Sequence, residues 1–336
     1  MMQAGPRNLI TDVDGILVGN AHDHGAASGV TVVLPQTRCS AGADVRGGAP
    51  GTRDIEALDP TCLVDAVDAV VLSGGSAFGL DAAGGVMSWL AARGRGFAIR
   101  DVVVPIVPAA ILFDLLNGGE KGWGEHPPYR ELGRQAVAGA AEAFALGNVG
   151  AGYGAQAGVL GGGLKGGLGS ASMVCQDGLQ VGALVAVNAV GSPVIPGGTT
   201  LWAWPFERDG EMGGQKPPQA IDLAAEAGAE GAMPGENTTI GVIATNARLD
   251  KAQARRVAIM AHDGYARALR PVHTPFDGDT IFCLATGRRD GAVEAGELAR
   301  IGALAADCMA RAIGRAIWEA DSLLAMTCYR DWAVAR

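Results

Sequence analysis

Aromatic side chains make up only 5% of this 336-residue chain, and charged ones only 18%. Basic residues are the scarcer sign: 26 Lys and Arg stand against 35 Asp and Glu, a formal charge of −9. That deficit speaks against nucleic acid or an anionic membrane surface as partner, since both are bound through clustered cations. Cysteine is sparse as well. The six present (Cys39, Cys62, Cys175, Cys283, Cys308 and Cys328) form no C-x-x-C pair and have no histidine cluster beside them. They read as small buried apolar side chains in a reducing compartment. His22, His24, His126, His262 and His273 lack metal-ligand spacing, apart from the pair His22/His24, which reads as a solvated turn. No metal and no cofactor is expected. Long apolar runs are missing too. The longest uncharged stretch, 179–206, is interrupted by glycine, asparagine and proline, and reads as a strand plus loops, not a membrane span. The start, Met-Met-Gln-Ala-Gly-Pro-Arg, carries no apolar signal core. A cytoplasmic protein is the expectation.

What the chain has in excess is glycine, 52 residues, roughly twice the usual 7% share. These glycines follow no period and sit among Val, Ala and Leu, which fits tight turns and close backbone packing. At 49% hydrophobic, the chain can bury a substantial core, in one large domain or two. Residues 8–20 read as two short strands about Gly15. Further strands are expected at 29–34, 66–72, 102–107, 181–190, 238–246 and 279–285. Helices are expected at 77–93, 130–146, 217–226 and 294–320. Another is expected where Ala254, Val257, Ala258, Ala261, Tyr265 and Ala268 share one face. Strands and helices mix without a βαβ rhythm, so the fold class is a layered α/β or α+β architecture.

Several motifs could carry chemistry. Asp12-Val13-Asp14-Gly15 after an apolar run resembles the start of an aspartyl-nucleophile phosphatase, but no later acidic pair completes it; a turn with capping aspartates is the plainer reading. Gly74-Gly75-Ser76-Ala77-Phe78-Gly79 misses the G-x-S-x-G elbow by one residue, with His262 and His273 as later partners for a serine hydrolase. Gly161-Gly162-Gly163-Leu164-Lys165-Gly166-Gly167 lacks the phosphate-loop spacing. Asn237-Thr238-Thr239 is formally a glycosylation sequon, but it leads straight into an apolar strand.

Thr238 is the remaining candidate. It follows the Gly/Pro-rich stretch 232–237 and starts a buried strand. A threonine there can attack the preceding carbonyl when the loop strains that peptide. The amine so freed has an ordinary pKa of about 7.7–8.0 and serves as general base to its own hydroxyl. The plain alternative is a β-branched residue that merely starts a strand.

The block Asn237-Thr238-Thr239-Ile240-Gly241-Val242-Ile243-Ala244-Thr245-Asn246 resembles the P1 peptidase family of DmpA-type aminopeptidase/esterases, β-peptidyl aminopeptidases and nylon-oligomer endohydrolases. Five further blocks are similar to the same family and run in its order: Ile10-Thr11-Asp12-Val13-Asp14-Gly15, Arg46-Gly47-Gly48-Ala49-Pro50-Gly51-Thr52-Arg53, 72–80, 165–172, and His273-Thr274-Pro275-Phe276-Asp277-Gly278-Asp279-Thr280. Together they cover nearly the whole chain.

The resemblance implies an αββα sandwich of the DmpA/ornithine-acetyltransferase type. It implies a single domain, 1–336, that cuts itself between Asn237 and Thr238 into an α-chain 1–237 and a β-chain 238–336 that stay together. It implies an amidohydrolase or aminopeptidase acting on small peptides or amides, with αβ units assembled into a homotetramer. Carried over by position, Thr238 is the nucleophile and Asn188 the oxyanion donor. Asp277 and Asp279 form the acidic pair, and Lys165 substitutes for a family lysine at the position of Val159. Phe113 stands where the nylon hydrolase has a tyrosine. Phe113 and Ser76 are the substrate-binding candidates. An acyltransferase using the same nucleophile is the alternative, since an acyl-enzyme can pass its group to an amine as well as to water.

Overall fold

The computed structural model describes residues 2–158, 163–219, 221 and 237–336. Two sheets dominate. The first runs β1 (Met2–Gln3), β12 (Gly167–Cys175), β13 (Gln180–Asn188), β14 (Thr238–Thr245), β15 (Thr280–Ala285), β4 (Ser40–Val45), antiparallel except for the parallel β14/β15 pair. The second runs β2 (Ile16–Asp23), β3 (Ser28–Pro35), β6 (Val70–Ser73), β9 (Ala109–Ile111), β5 (Thr52–Arg53), with β6/β9 parallel. Two hairpins, β7/β8 (Phe97–Ile99, Val102–Val104) and β10/β11 (Gln156–Ala157, Leu164–Lys165), complete the strands.

Three apolar layers follow from the two-residue period of the strands. On β14, Ile240, Val242 and Ala244 join Leu184 and Ala186 of β13 in a core shared with Val18, Val33, Val70 and Leu72 of the second sheet. Ile243, Val185 and Val187 point the other way, onto helices α3 (Lys251–Ala268) and α4 (Ala295–Trp318). The outer face of the second sheet is covered by α1 (Ala82–Ala91) and α2 (Tyr129–Ala138). The order helix, sheet, sheet, helix is the expected αββα sandwich. The last helix, α5 (Tyr329–Val334), packs against the α4 side through Tyr329. By the same parity, Thr238 and Asn188 belong to the face that looks toward the second sheet.

Where the elements differ from the sequence reading, local polar chemistry decides. Residues 10–12 form a 3₁₀ turn instead of a strand, because the buried Asp12 carboxylate collects the N–H groups of Arg7 and Leu9 and the Ser172 hydroxyl. The helix expected over 130–146 ends at Ala138, and Ala141 instead bridges to Val18 of β2. The segment expected as one helix over 77–93 begins as a 3₁₀ helix, Ser76–Asp81. His24 is an exposed turn residue, as expected, but His22 lies in β2 and is half-buried: it stacks on Tyr153 at 4.4 Å, and His24 Nδ1 lies 2.7 Å from the Tyr153 hydroxyl. Strand β12 was hidden by its small residues. A Cβ at Gly169 would lie 1.9 Å from the Ala312 carbonyl oxygen, so glycine there lets α4 lie directly on the sheet. Val159, Gly161, Gly162, 232–236 and most of the helix expected over 217–226 lie outside the described residues.

Candidate active site

Asn237 and Thr238 are both 2% exposed, at the entrance to β14. Thr238 is the ladder partner of Asn188, the last residue of β13. The Asn188 amide is fixed at both ends: Nδ2 donates to the Phe113 carbonyl at 3.0 Å, and Oδ1 accepts the Gln156 N–H at 2.9 Å. Asn188 and Asn237 line a cavity of about 210 Å³ together with Phe113, Asp114, Leu116, Asn117 and Gln156.

The loop before β15 closes the opposite side. Asn237 forms a parallel bridge with Asp277. The Thr238 hydroxyl donates to the Asn237 carbonyl, and the Gly278 N–H lies 3.2 Å from that oxygen and 3.2 Å from Thr238 Oγ1. A Cβ at residue 278 would stand 2.8 Å from Thr238 Oγ1, so only glycine permits this approach. The loop is itself clamped by residues 46–49: Arg46 N–H donates to the Asp279 carbonyl at 2.9 Å and Ala49 N–H to the Asp277 carbonyl at 2.8 Å.

The two acids are buried and differently supplied. Asp277 accepts the Thr274 N–H at 2.9 Å and hydroxyl at 2.6 Å. Burial, reinforced by the charge of Asp279, holds its carboxyl above the usual carboxylate range. One oxygen of Asp279 accepts the Thr239 N–H at 2.8 Å; the other accepts the His273 N–H at 3.1 Å and faces His273 Nδ1 at 2.8 Å. On the far side of the strand, the Tyr265 hydroxyl donates to the carbonyls of Thr239 at 3.2 Å and Thr280 at 3.3 Å. His262 packs edge-on against His273, ring centroids 4.8 Å apart. Burial, with His273 beside it, pushes the His262 pKa down to about 4.

Thr238, Asn188, Asp277, Asp279 and Phe113 therefore meet in one place. Lys165 is fully buried behind the cavity wall, where its ammonium donates to the carbonyls of Gly152, Ala155 and Gly166 at 2.8–3.1 Å. Burial lowers its pKa to about 7, against the opposing pull of Asp114. Ser76 is not among the described residues that line the cavity; its N–H donates to the Leu112 carbonyl at the start of a 3₁₀ helix. Nor do the described contacts give Ser76 a histidine: His262 and His273 lie with Asp44 and Asp279. Three participants escaped the sequence reading. His273 reads only as a possible partner for Ser76, Gly278 lies in a quoted block without an assigned role, and Tyr265 reads only as a helix-face residue.

The same sandwich occurs in solved structures, one of them described as a variant of the N-terminal-nucleophile hydrolase fold. It aligns with a Burkholderia β-aminopeptidase at TM-score 0.70 and 24% identity, covering 98% of this chain and 91% of that one. It also aligns with the L-aminopeptidase D-Ala-esterase/amidase of Ochrobactrum anthropi, described as a variant of that fold, at TM-score 0.69 and 22% identity, covering 96% and 89%. In sequence, the profile of peptidase family S58 matches residues 8–328. An uncharacterized aminopeptidase of Mycobacterium tuberculosis is 46% identical over 96% of this chain and 97% of its own. The 6-aminohexanoate-oligomer endohydrolase of Paenarthrobacter ureafaciens is 30% identical over 85% and 77%. The chain belongs to peptidase family S58 and is a hydrolase of amide bonds.

Proposed function

We propose that the chain cuts itself between Asn237 and Thr238 and that Thr238, as the new N-terminus, is the nucleophile toward small peptides or amides. One observation carries this: the Thr238 hydroxyl rests against the carbonyl of the preceding residue, whose oxygen also faces the Gly278 N–H at 3.2 Å. Thr238 Oγ1 adds to the Asn237 carbonyl carbon, and the carbonyl electron pair moves onto an oxygen that already has a backbone donor. Collapse breaks the C–N bond. The proton lost by the hydroxyl ends on the departing Thr238 nitrogen, leaving an ester. Water hydrolyses the ester to an Asn237 carboxylate and returns the Thr238 hydroxyl beside its free amine.

The freed amine is the base for later turnovers, and Asn188 is the side-chain donor nearest in the ladder. Asp277 and Asp279 keep the new terminus in place. Lys165 supports the wall behind Asn188, since it pairs with Gln156, whose N–H holds that amide. The two products stay together because β14 lies within the first sheet, paired with β13 over eight residues and with β15 on its other side. The cavity offers side-chain amides of Asn117, Gln156 and Asn188 beside the apolar Phe113 and Leu116, and no basic residue among the described residues lining it. That lining suits short, neutral or amine-bearing amides. 6-Aminohexanoate oligomers and aminoacyl p-nitroanilides are the substrates to test first. Hydrolysis by the wild-type chain and none by Thr238→Ala is the expected result; equal activity in the variant overturns the assignment.

A further inference from the structure

We propose that His273 is a positioning residue for the nucleophile, acting through Asp279. This rests on the reading of Thr238 as a self-cleaving nucleophile. His273 sits at φ +58°, in the left-handed region, which a non-glycine residue occupies only at a cost. The consequence of that conformation is geometric. The backbone N–H of His273 and its ring Nδ1 converge on a single oxygen, Asp279 Oδ2, at 3.1 and 2.8 Å. The other oxygen, Oδ1, takes the Thr239 N–H at 2.8 Å.

A carboxylate that is 1% exposed needs donors for both oxygens, and the His273 ring supplies one by carrying its proton on Nδ1. The ring is held from behind by His262, edge-on at 4.8 Å, and by Tyr265, at 5.9 Å. Tyr265 also donates to the Thr239 carbonyl. The residue that follows the nucleophile is thus held at its N–H by Asp279 and at its carbonyl by Tyr265, and His273 touches both partners. The Thr239 anchor sets where the Thr238 hydroxyl stands, both against the Asn237 carbonyl before cleavage and at the free end after it.

Without the His273 ring, the Asp279 carboxylate loses a fixed partner and can rotate away from Thr239. An ångström of drift at the nucleophile costs about 10²-fold in rate. Two substitutions separate donor from backbone strain. His273→Gly keeps the left-handed backbone and removes the ring. His273→Asn also tolerates that backbone and places an N–H donor on the atom that follows Cγ, where Nδ1 stands in histidine.

Self-cleavage is followed by time course after cell-free synthesis of the full chain, with cooperative thermal unfolding as the check on folding. Cleavage slowed about 10²-fold in His273→Gly, but kept within about fivefold of wild type in His273→Asn, supports the proposal. Wild-type cleavage by His273→Gly overturns it while leaving Thr238 as nucleophile. If His273→Gly does not fold, His273→Asn decides: a loss of 10²-fold there shows that ring packing, not the donor, matters and overturns the proposal. A wild-type chain that never cuts removes the Thr238 reading, and this inference with it.

Discussion

Asn188 stands directly opposite Thr238 across the β13–β14 ladder, with its amide already held by the Phe113 carbonyl and the Gln156 N–H. A donor fixed before substrate arrives pays no reorganisation at the moment of reaction. Asn188→Ala is expected to lower kcat on a small amide by about 10²–10³. Asn188→Asp is expected not to restore it, since a carboxylate has no proton to donate to the Phe113 carbonyl or to an oxyanion. Steady-state kinetics on the processed enzyme measures this. A kcat within tenfold of wild type for Asn188→Ala removes Asn188 from the oxyanion role.

Asp277 gives a pH signature. Burial and the neighbouring Asp279 raise its proton affinity in the folded state. The folded chain therefore keeps a proton that the unfolded chain has released, and the contribution of Asp277 to stability falls as pH rises from about 3.9 through its raised value. Relative to wild type, Asp277→Asn should gain stability as pH increases across that window and lose the advantage below it. Thermal unfolding against pH, with both chains carrying Thr238→Ala to prevent cleavage, reads the difference. A difference that runs the other way contradicts the environment described for Asp277.

His262 has the opposite sign. Its folded pKa of about 4 lies below the ordinary value near 6.5, so the unfolded chain binds the proton first. Stability is lost as pH falls from about 6.5 toward 4, by no more than about 3 kcal/mol. His262→Phe keeps an edge-on ring against His273 and cannot titrate. Its unfolding temperature should change less over that window than that of wild type. Parallel curves for the two chains rule out His262 as the source of the acid sensitivity.

Lys165 is predicted to matter structurally as well as for activity. Three backbone carbonyls point at its three ammonium protons. Lys165→Met removes that donor in a fully buried position; the Ala155 and Gly152 carbonyls keep the N–H groups of Gly166 and Ala155, the Gly166 carbonyl loses its partner, and the cost is about 1–3 kcal/mol. The midpoint of denaturant unfolding should fall accordingly. Activity should fall with it, because Lys165 pairs with the residue that holds Asn188. Unchanged stability in the variant would place the ammonium elsewhere.

Much of this was legible in the sequence, and the reasons differ by element. β14 and β15 are apolar runs rich in β-branched residues, which match the pattern of strands buried on both faces. Asp277 and Asp279 stood out only through the family resemblance, and why residue 278 must be glycine, its contact with Thr238 Oγ1, appears only in three dimensions. β12 was not legible, since Gly-Leu-Gly-Ser-Ala-Ser carries no strand propensity and its glycines answer to α4, which comes more than a hundred residues later. His273 was visible only as a possible partner for Ser76, and its contact with Asp279 was not legible for a similar reason. Its significance lies in a left-handed backbone and one carboxylate oxygen, and neither leaves a periodic trace. The 3₁₀ turn at residues 10–12 depends on a hydroxyl at Ser172, far along the chain.

The most direct test of the account is intact mass and N-terminal sequencing of the purified protein beside Thr238→Ala. The account predicts two fragments, 1–237 and 238–336, the second beginning Thr-Thr-Ile-Gly-Val, and a variant that stays whole. A single uncut 336-residue chain in a preparation that hydrolyses amides would contradict it.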